Sequence, residues 1–176
     1  MAANQPSKNQ RGQIVMSDDE ISEFLQQHRT ATLATVGKDG FPHLTAMWFG
    51  VIGGDGDLPE LWFETKSKSQ KAVNLRRDPR ATALIEDGLT YDKLRGVSIE
   101  GTCVLYDDAE TCLTAGIAVW ERYMGPYSDE MRPAVEAMMH NRIAVRLVPE
   151  RVRSWDHRKL NLPDTPLTGS TAQYYS

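Results

Sequence analysis

The sequence predicts an α+β fold: a mainly antiparallel β-barrel of about six strands with flanking helices. Three observations carry this. Runs rich in Val, Ile, Thr and aromatic residues recur between clusters of Gly, Asp and Pro. Two long stretches with helical spacing fall together late in the chain, rather than alternating with the strands. The 176 residues, 40% of them hydrophobic, suffice for one domain with a substantial core and are too few for two comfortable ones.

Taken in order, residues 1–16 have no period and are expected to be a flexible segment. SDDEISEFLQQH follows, with Ser17 and Glu20 at capping-box spacing, acids in the first turn and Ile21, Phe24, Leu25 and His28 on one face, so a first helix is expected. ATLATV, the turn GKDG and HLTAMWFGVI read as a hairpin; a second turn, GGDGDLP, then leads into ELWFET, completing a three-stranded meander. RATALIED and VSIEGTCVLY repeat the strand signature. DDAETCLTAGIAVWERYM and SDEMRPAVEAMMHN read as helices, and IAVRLVPERVRSW closes the unit with one or two strands. Residues 161–176, NLPDTPLTGSTAQYYS, are rich in Pro, Ser, Thr and Gly and are expected to be a flexible tail, leaving 17–160 as the folded unit.

Composition narrows the function. A net charge of −4 and a pI of about 5.6 argue against a surface that coats nucleic acid or an anionic membrane, so an anionic partner has to be met by a local patch. No apolar run reaches the length of a spanning helix, and MAANQPSKNQRGQIV lacks the apolar centre of a signal peptide, so a soluble, cytoplasmic protein is expected. Cys103 and Cys112 stand apart from any zinc-ligand spacing and are expected to be reduced and structural. No Ser/His/Asp order, paired acids or metal-ligand pattern stands out.

The patch is ETKSKSQKAVNLRRDPR, residues 64–80, with six basic residues against two acidic ones. Ser67 or Ser69 can cap a short helix whose first turn holds Lys71, with Ala72, Val73 and Leu75 on its apolar side and Pro79 ending it. The free N–H groups of such an N-terminus, joined by hydroxyl and ammonium groups, suit a phosphate. The same features fit a solvated surface helix equally well, and Arg76 and Arg77 read as surface charge.

The order ATLATVGKDGFPHLTAMWFGV, ELWFETKSKSQKAVNLRRDPRATALIE, VSIEGTCVLY resembles the pyridoxamine 5′-phosphate oxidase-like superfamily of split β-barrels, over roughly residues 18–160. The resemblance implies a homodimer that binds a flavin or deazaflavin at the subunit interface. It implies Thr65, Ser69 and Lys71 as phosphate-binding residues, and the backbone of the second strand against the ring. Gln70 stands where FMN-binding oxidases often carry Arg. TxxxSxKxxNLRRDPR and SWDHRKL resemble the actinobacterial branch that uses the deazaflavin coenzyme F-420, which makes F-420 the implied cofactor and FMN the alternative.

Met47 and Trp48 are candidates for lining the ring, though both also read as core, and His43 is a candidate for a cofactor contact on the same strand. Trp155 to Lys159 read as a substrate or tail pocket, or as a solvated chain end. The trio Met138, Met139 and His140 reads as core. No residue stands out as a proton donor. Three functions remain open: an oxidoreductase passing a hydride to an electron-poor small molecule such as an enone or quinone, a noncatalytic flavin or deazaflavin carrier, and, remotely, a nucleic-acid module.

Overall fold

The computed structural model describes residues 10–53 and 60–175. A short helical turn, α1 (Gln10–Gln13), precedes α2 (Asp18–Gln27), which begins as the sequence predicts: Ser17 accepts from the Glu20 N–H, and the Glu20 carboxylate accepts from the Ser17 N–H at 2.6 Å. Ile21, Phe24 and Leu25 are its buried face.

Seven strands form one antiparallel sheet: β1 (Ala31–Val36), β2 (Pro42–Met47), β3 (Gly50–Ile52), β4 (Glu60–Lys66), β5 (Arg80–Asp87), β6 (Arg95–Tyr106) and β7 (Arg142–Asp156), in the order β2-β1-β5-β6-β7-β4-β3. In a flat sheet, six gaps of about 4.8 Å would put β2 and β3 about 29 Å apart. Met47 and Gly50 are joined by three residue steps, which span at most about 11 Å. The sheet therefore curls into an open barrel, and Leu33, Phe49, Phe63, Ile85, Val97 and Val145 fill its interior.

The α+β split barrel expected from the sequence is present, with two corrections. Among the described residues there are seven strands rather than six, because the run 43–52 is not one strand: it breaks at Trp48 and Phe49, where the Phe49 side chain plunges into the core at 0% exposure. The expected meander is broken at the same place. β2 pairs only with β1, while β4 pairs with β3 and β7, on the far side of the curl. Gly50 is needed at the crossing, because a Cβ there would lie 2.8 Å from the Ala118 Cβ on the helix behind it. The turn proposed for GGDGDLP lies, beyond Gly53, outside the described residues.

Two helices follow β6. α4 (Ala109–Tyr123) is capped by Asp108, and α5 (Arg132–Met139) has Pro133 in its first turn. They cover the outer side of β4 and β7 through a second apolar cluster that includes Trp62, Cys112, Ala115, Val135 and Met139. His140 is exposed at the end of α5. IAVRLVPERVRSW is a single strand bent by a bulge, since Gly101 faces Pro149 and Glu100 faces Arg151, leaving Glu150 as the extra residue. Pro149, which has no N–H to give, sits at that irregularity. Among the described residues, no helix is long and apolar enough to cross a membrane.

Candidate functional site

The basic stretch forms α3 (Gln70–Arg77), which crosses from β4 to β5. Ser69 is its cap: the hydroxyl accepts from the Ala72 N–H at 3.3 Å. Ala72 and Leu75 anchor the helix in the barrel core, and it ends at Asp78, just before Pro79. Thr65 continues the inward-facing series Leu61 and Phe63 on β4, so its side chain is buried at 3% exposure.

Three sequence candidates meet there. The Thr65 and Ser69 hydroxyls are 3.0 Å apart, and the Lys71 ammonium donates to Thr65 Oγ1 at 3.3 Å. Burial lowers the pKa of Lys71, with Glu64 acting in the opposite direction and Arg142 reinforcing the fall. An ammonium that keeps its charge in a partly dry place, bonded only weakly to a neutral hydroxyl, is a cation with donors to spare.

Sequence reading missed two residues of this cluster. Glu64 accepts from Arg142 Nη1 at 2.6 Å, and burial raises its pKa in spite of that pair. Arg142 comes from the start of β7, opposite Lys66 in the β4–β7 register, a pairing invisible without the sheet order. The remaining bases divide. Arg76 donates to the Ser67 carbonyl at 2.6 Å, Arg77 to the Val36 carbonyl and Arg80 to Asp78 at 2.7 Å, so these three tie down the chain. Lys66 and Lys68 are exposed.

The β2 candidates are distributed differently. Met47 points into the main core at 9% exposure and its backbone is paired with Ala31 on β1, so neither its side chain nor its backbone faces the open edge. His43 is half-buried on the same face, opposite Thr35. Trp48 is 47% exposed; one face of its indole stacks on Tyr123 at 4.3 Å and 5°, and the Tyr123 hydroxyl is fixed between the Phe49 N–H and the Arg29 carbonyl.

β2 also ends the sheet. The Gly37 N–H bonds to the Phe41 carbonyl at 2.7 Å, which sets the alternation along the hairpin. Thr35 and His43, Leu33 and Thr45, and Ala31 and Met47 then exchange the ladder bonds. The N–H and C=O groups of Leu44 and Ala46 project from the open edge.

The segment from Trp155 to Lys159 does not join this cluster. The Trp155 indole covers Gly96, Asp156 pairs with Arg158 at 2.6 Å, and the His157 ring bonds to the Tyr91 carbonyl at 2.8 Å. Lys159 reaches Glu20 at 2.6 Å and the Val15 carbonyl at 2.7 Å. Its charged groups clasp the end of β7 to the chain around α2.

The geometry has parallels among known proteins. A conserved hypothetical protein from Mycobacterium tuberculosis, Rv2991, superposes with a TM-score of 0.86 at 58% identity, covering 93% of this chain and 99% of that one. A solved structure described as an F420 reductase matches with a TM-score of 0.55 at 25% identity, over 74% of this chain and 94% of that one. The F420H(2)-dependent biliverdin reductase of Mycobacterium tuberculosis (strain CDC 1551 / Oshkosh) is 29% identical over 124 residues, or 70% of this chain and 84% of its own length. The sequence profile of the pyridoxamine 5′-phosphate oxidase family matches residues 17–156, from the cap of α2 to the end of β7, and the chain belongs to that family.

Proposed function

We propose that this chain is an oxidoreductase that uses the deazaflavin F-420, works as a cytoplasmic homodimer and passes a hydride to an electron-poor organic acceptor such as an enone or quinone. The observation that carries the reading is the meeting of Thr65, Ser69 and Lys71 at the start of α3, two hydroxyls beside a partly desolvated ammonium. That donor set fits a phosphate: the ammonium offers charge, the hydroxyls can turn their hydrogens outward, and the helix start adds free N–H groups. Glu64 leaves Lys71 available because its carboxylate is paired with Arg142.

Thr65, Ser69 and Lys71 would hold the cofactor's phosphate, and the open backbone of Leu44 and Ala46, with the indole of Trp48, would meet the ring. When bound, a reduced deazaflavin supplies a hydride in a two-electron step. The protein's part is to anchor one end, hold the ring against a rigid edge and leave a face open for the acceptor. The proton that completes reduction of the acceptor would come from solvent or a nearby side chain. Phe41 and Leu44, 73% and 62% exposed beside the open edge of β2, supply the apolar surface for a second copy, which would close the cleft.

F-420 is preferred to FMN on two grounds. The two named reductases among the relatives depend on or are described by F420. Position 70 also offers no guanidinium, and the Gln70 amide is engaged with Asn74 at 2.9 Å. FMN remains the second reading because the family is named for an oxidase of that chemistry.

Fluorescence titration of the purified protein with F-420 and with FMN, followed by turnover of reduced F-420 against enones and quinones, tests the proposal. The expected result is binding of F-420 with turnover. Tight binding of FMN alone overturns the cofactor, and F-420 binding with no turnover makes the protein a carrier.

A further inference from the structure

Asn74 is fully buried in α3 and Thr35 is 2% exposed on β1, polar side chains in a region otherwise made of Leu33, Ala72, Leu75 and Ala83. Gln70 Nε2 donates to Asn74 Oδ1 at 2.9 Å, Asn74 Nδ2 donates to Thr35 Oγ1 at 3.1 Å, and Thr35 Oγ1 donates to the His43 carbonyl at 3.4 Å. The direction of this chain is forced. A carbonyl can only accept, so the single hydroxyl hydrogen of Thr35 goes to His43. Thr35 then accepts from Asn74, which turns the Asn74 oxygen toward Gln70.

The chain begins in the first turn of α3, which carries Ser69 and Lys71, and ends on the backbone of β2, four residues before Met47. Apart from the exposed bond of Arg77 to the Val36 carbonyl at the far end of the helix, apolar contact would hold α3 to the sheet, and that contact is non-directional and tolerates sliding and rotation. A buried hydrogen-bond chain accepts one distance and one angle, because each broken link leaves a polar group unpaired in the core.

We propose that Asn74 and Thr35 are positioning residues that fix the phosphate-binding start of α3 relative to the open edge of β2, so that both ends of one cofactor are met at once. This rests on the reading of the two ends given above. Neither residue touches the cofactor. What they supply is the spacing that turns two weak contacts into one strong one, in the way a rigid linker raises the effective concentration of a second binding event.

The test uses Thr35→Val, which keeps the shape and removes the hydroxyl, and Thr35→Ser, which keeps the hydroxyl. Dissociation constants are measured for F-420, for the deazaflavin riboside lacking phosphate, and for inorganic phosphate, alongside the urea midpoint. Thr35→Val is expected to weaken F-420 about tenfold, one net hydrogen bond's worth, while riboside and phosphate change by less than about twofold. Thr35→Ser restores the wild-type value. Unchanged F-420 affinity in folded Thr35→Val overturns the proposal, and so does a parallel loss for all three ligands, which marks a merely structural contact. If the wild-type protein binds neither F-420 nor FMN, the cofactor reading itself falls, and this inference with it.

Discussion

Replacing Lys71 with Ala removes the one side chain at the start of α3 whose charge and position both answer a phosphate. Its ammonium spends one donor on Thr65 Oγ1 at 3.3 Å, which leaves two for an anion. A charge-assisted bond of that kind is worth about 1.5 to 3 kcal/mol, so Lys71→Ala should weaken F-420 about 10- to 150-fold. Stability should move the other way or stay level. Burial lowers the folded-state pKa of Lys71 below its unfolded value, so the folded chain binds that proton less tightly. The stability it contributes is therefore greatest above the unfolded pKa and declines as pH falls, and at neutral pH the charged side chain is a burden on the fold. The same shift gives binding a pH signature: affinity for F-420 should decline with rising pH earlier than an ordinary lysine would dictate, and Lys71→Ala should abolish that decline. Fluorescence titration at several pH values, paired with urea unfolding, reads both effects. Unchanged affinity for F-420, or an equal loss for the phosphate-free riboside, would refute the assignment.

Two further outcomes test the frame around the site. Asp156 is buried, which alone would raise its pKa, but bonds from the Arg158 guanidinium and N–H outweigh this and hold the carboxyl below the usual range. The stability it contributes is present above the ordinary carboxylate pKa and is lost as pH falls through the depressed value. Asp156→Asn should cost roughly 1 kcal/mol near neutrality, since Arg158 is half exposed, and should flatten the acid limb of the urea midpoint; an unaltered limb would remove the clasp from the account. For the Trp48 and Tyr123 stack at 4.3 Å, a double-mutant cycle through Trp48→Ala and Tyr123→Ala should give a coupling of about 0.5 to 1.5 kcal/mol in urea unfolding, and a coupling of zero would mean the rings do not support each other.

What could be read from the sequence was local. Ser17 and Glu20 announce the start of α2, and Ser67 or Ser69 that of α3, where the structure uses Ser69, because a cap needs only residues three apart and its chemistry does not depend on the rest of the fold. Lys71 in the first turn of a serine-capped helix was legible from the local pattern, whereas Thr65 entered only through the family resemblance. The Glu64 and Arg142 pair was not, since it depends on β7 lying beside β4, a long-range pairing that no local pattern encodes. The same blindness produced the meander. GVI after MWF continues an apolar run, and nothing in it reveals that Phe49 turns inward and the chain crosses the barrel mouth, where Gly50 lets α4 approach. Asn74 was hidden for a related reason: in a run of Lys, Arg and Asn it reads as solvated, and only packing against β1 makes it a core residue.

The distribution of exposed apolar surface bears on why, under the proposed function, the anchoring residues would suffice within one chain while the ring-binding edge would call for a second. Phe41, Leu44 and Trp48 lie on or just beyond β2, beside backbone groups of Leu44 and Ala46 that have no ladder partner among the described residues. Such an edge is exposed to unwanted pairing unless something covers it. Around Lys71, by contrast, the contacts lie within one chain: Thr65 bonds to Ser69 and Lys71, and Glu64 pairs with Arg142. If a second copy covers β2, the cofactor's charged end is gripped by one chain and its ring is enclosed by two, which links binding to association by mass action. A cofactor that bridges both elements then favours the paired state by as much as pairing favours the cofactor, since coupling between two binding events is reciprocal. The polar chain from Gln70 through Asn74 and Thr35 to His43 runs between the anchoring helix and the edge strand, and so lies where such coupling would have to pass.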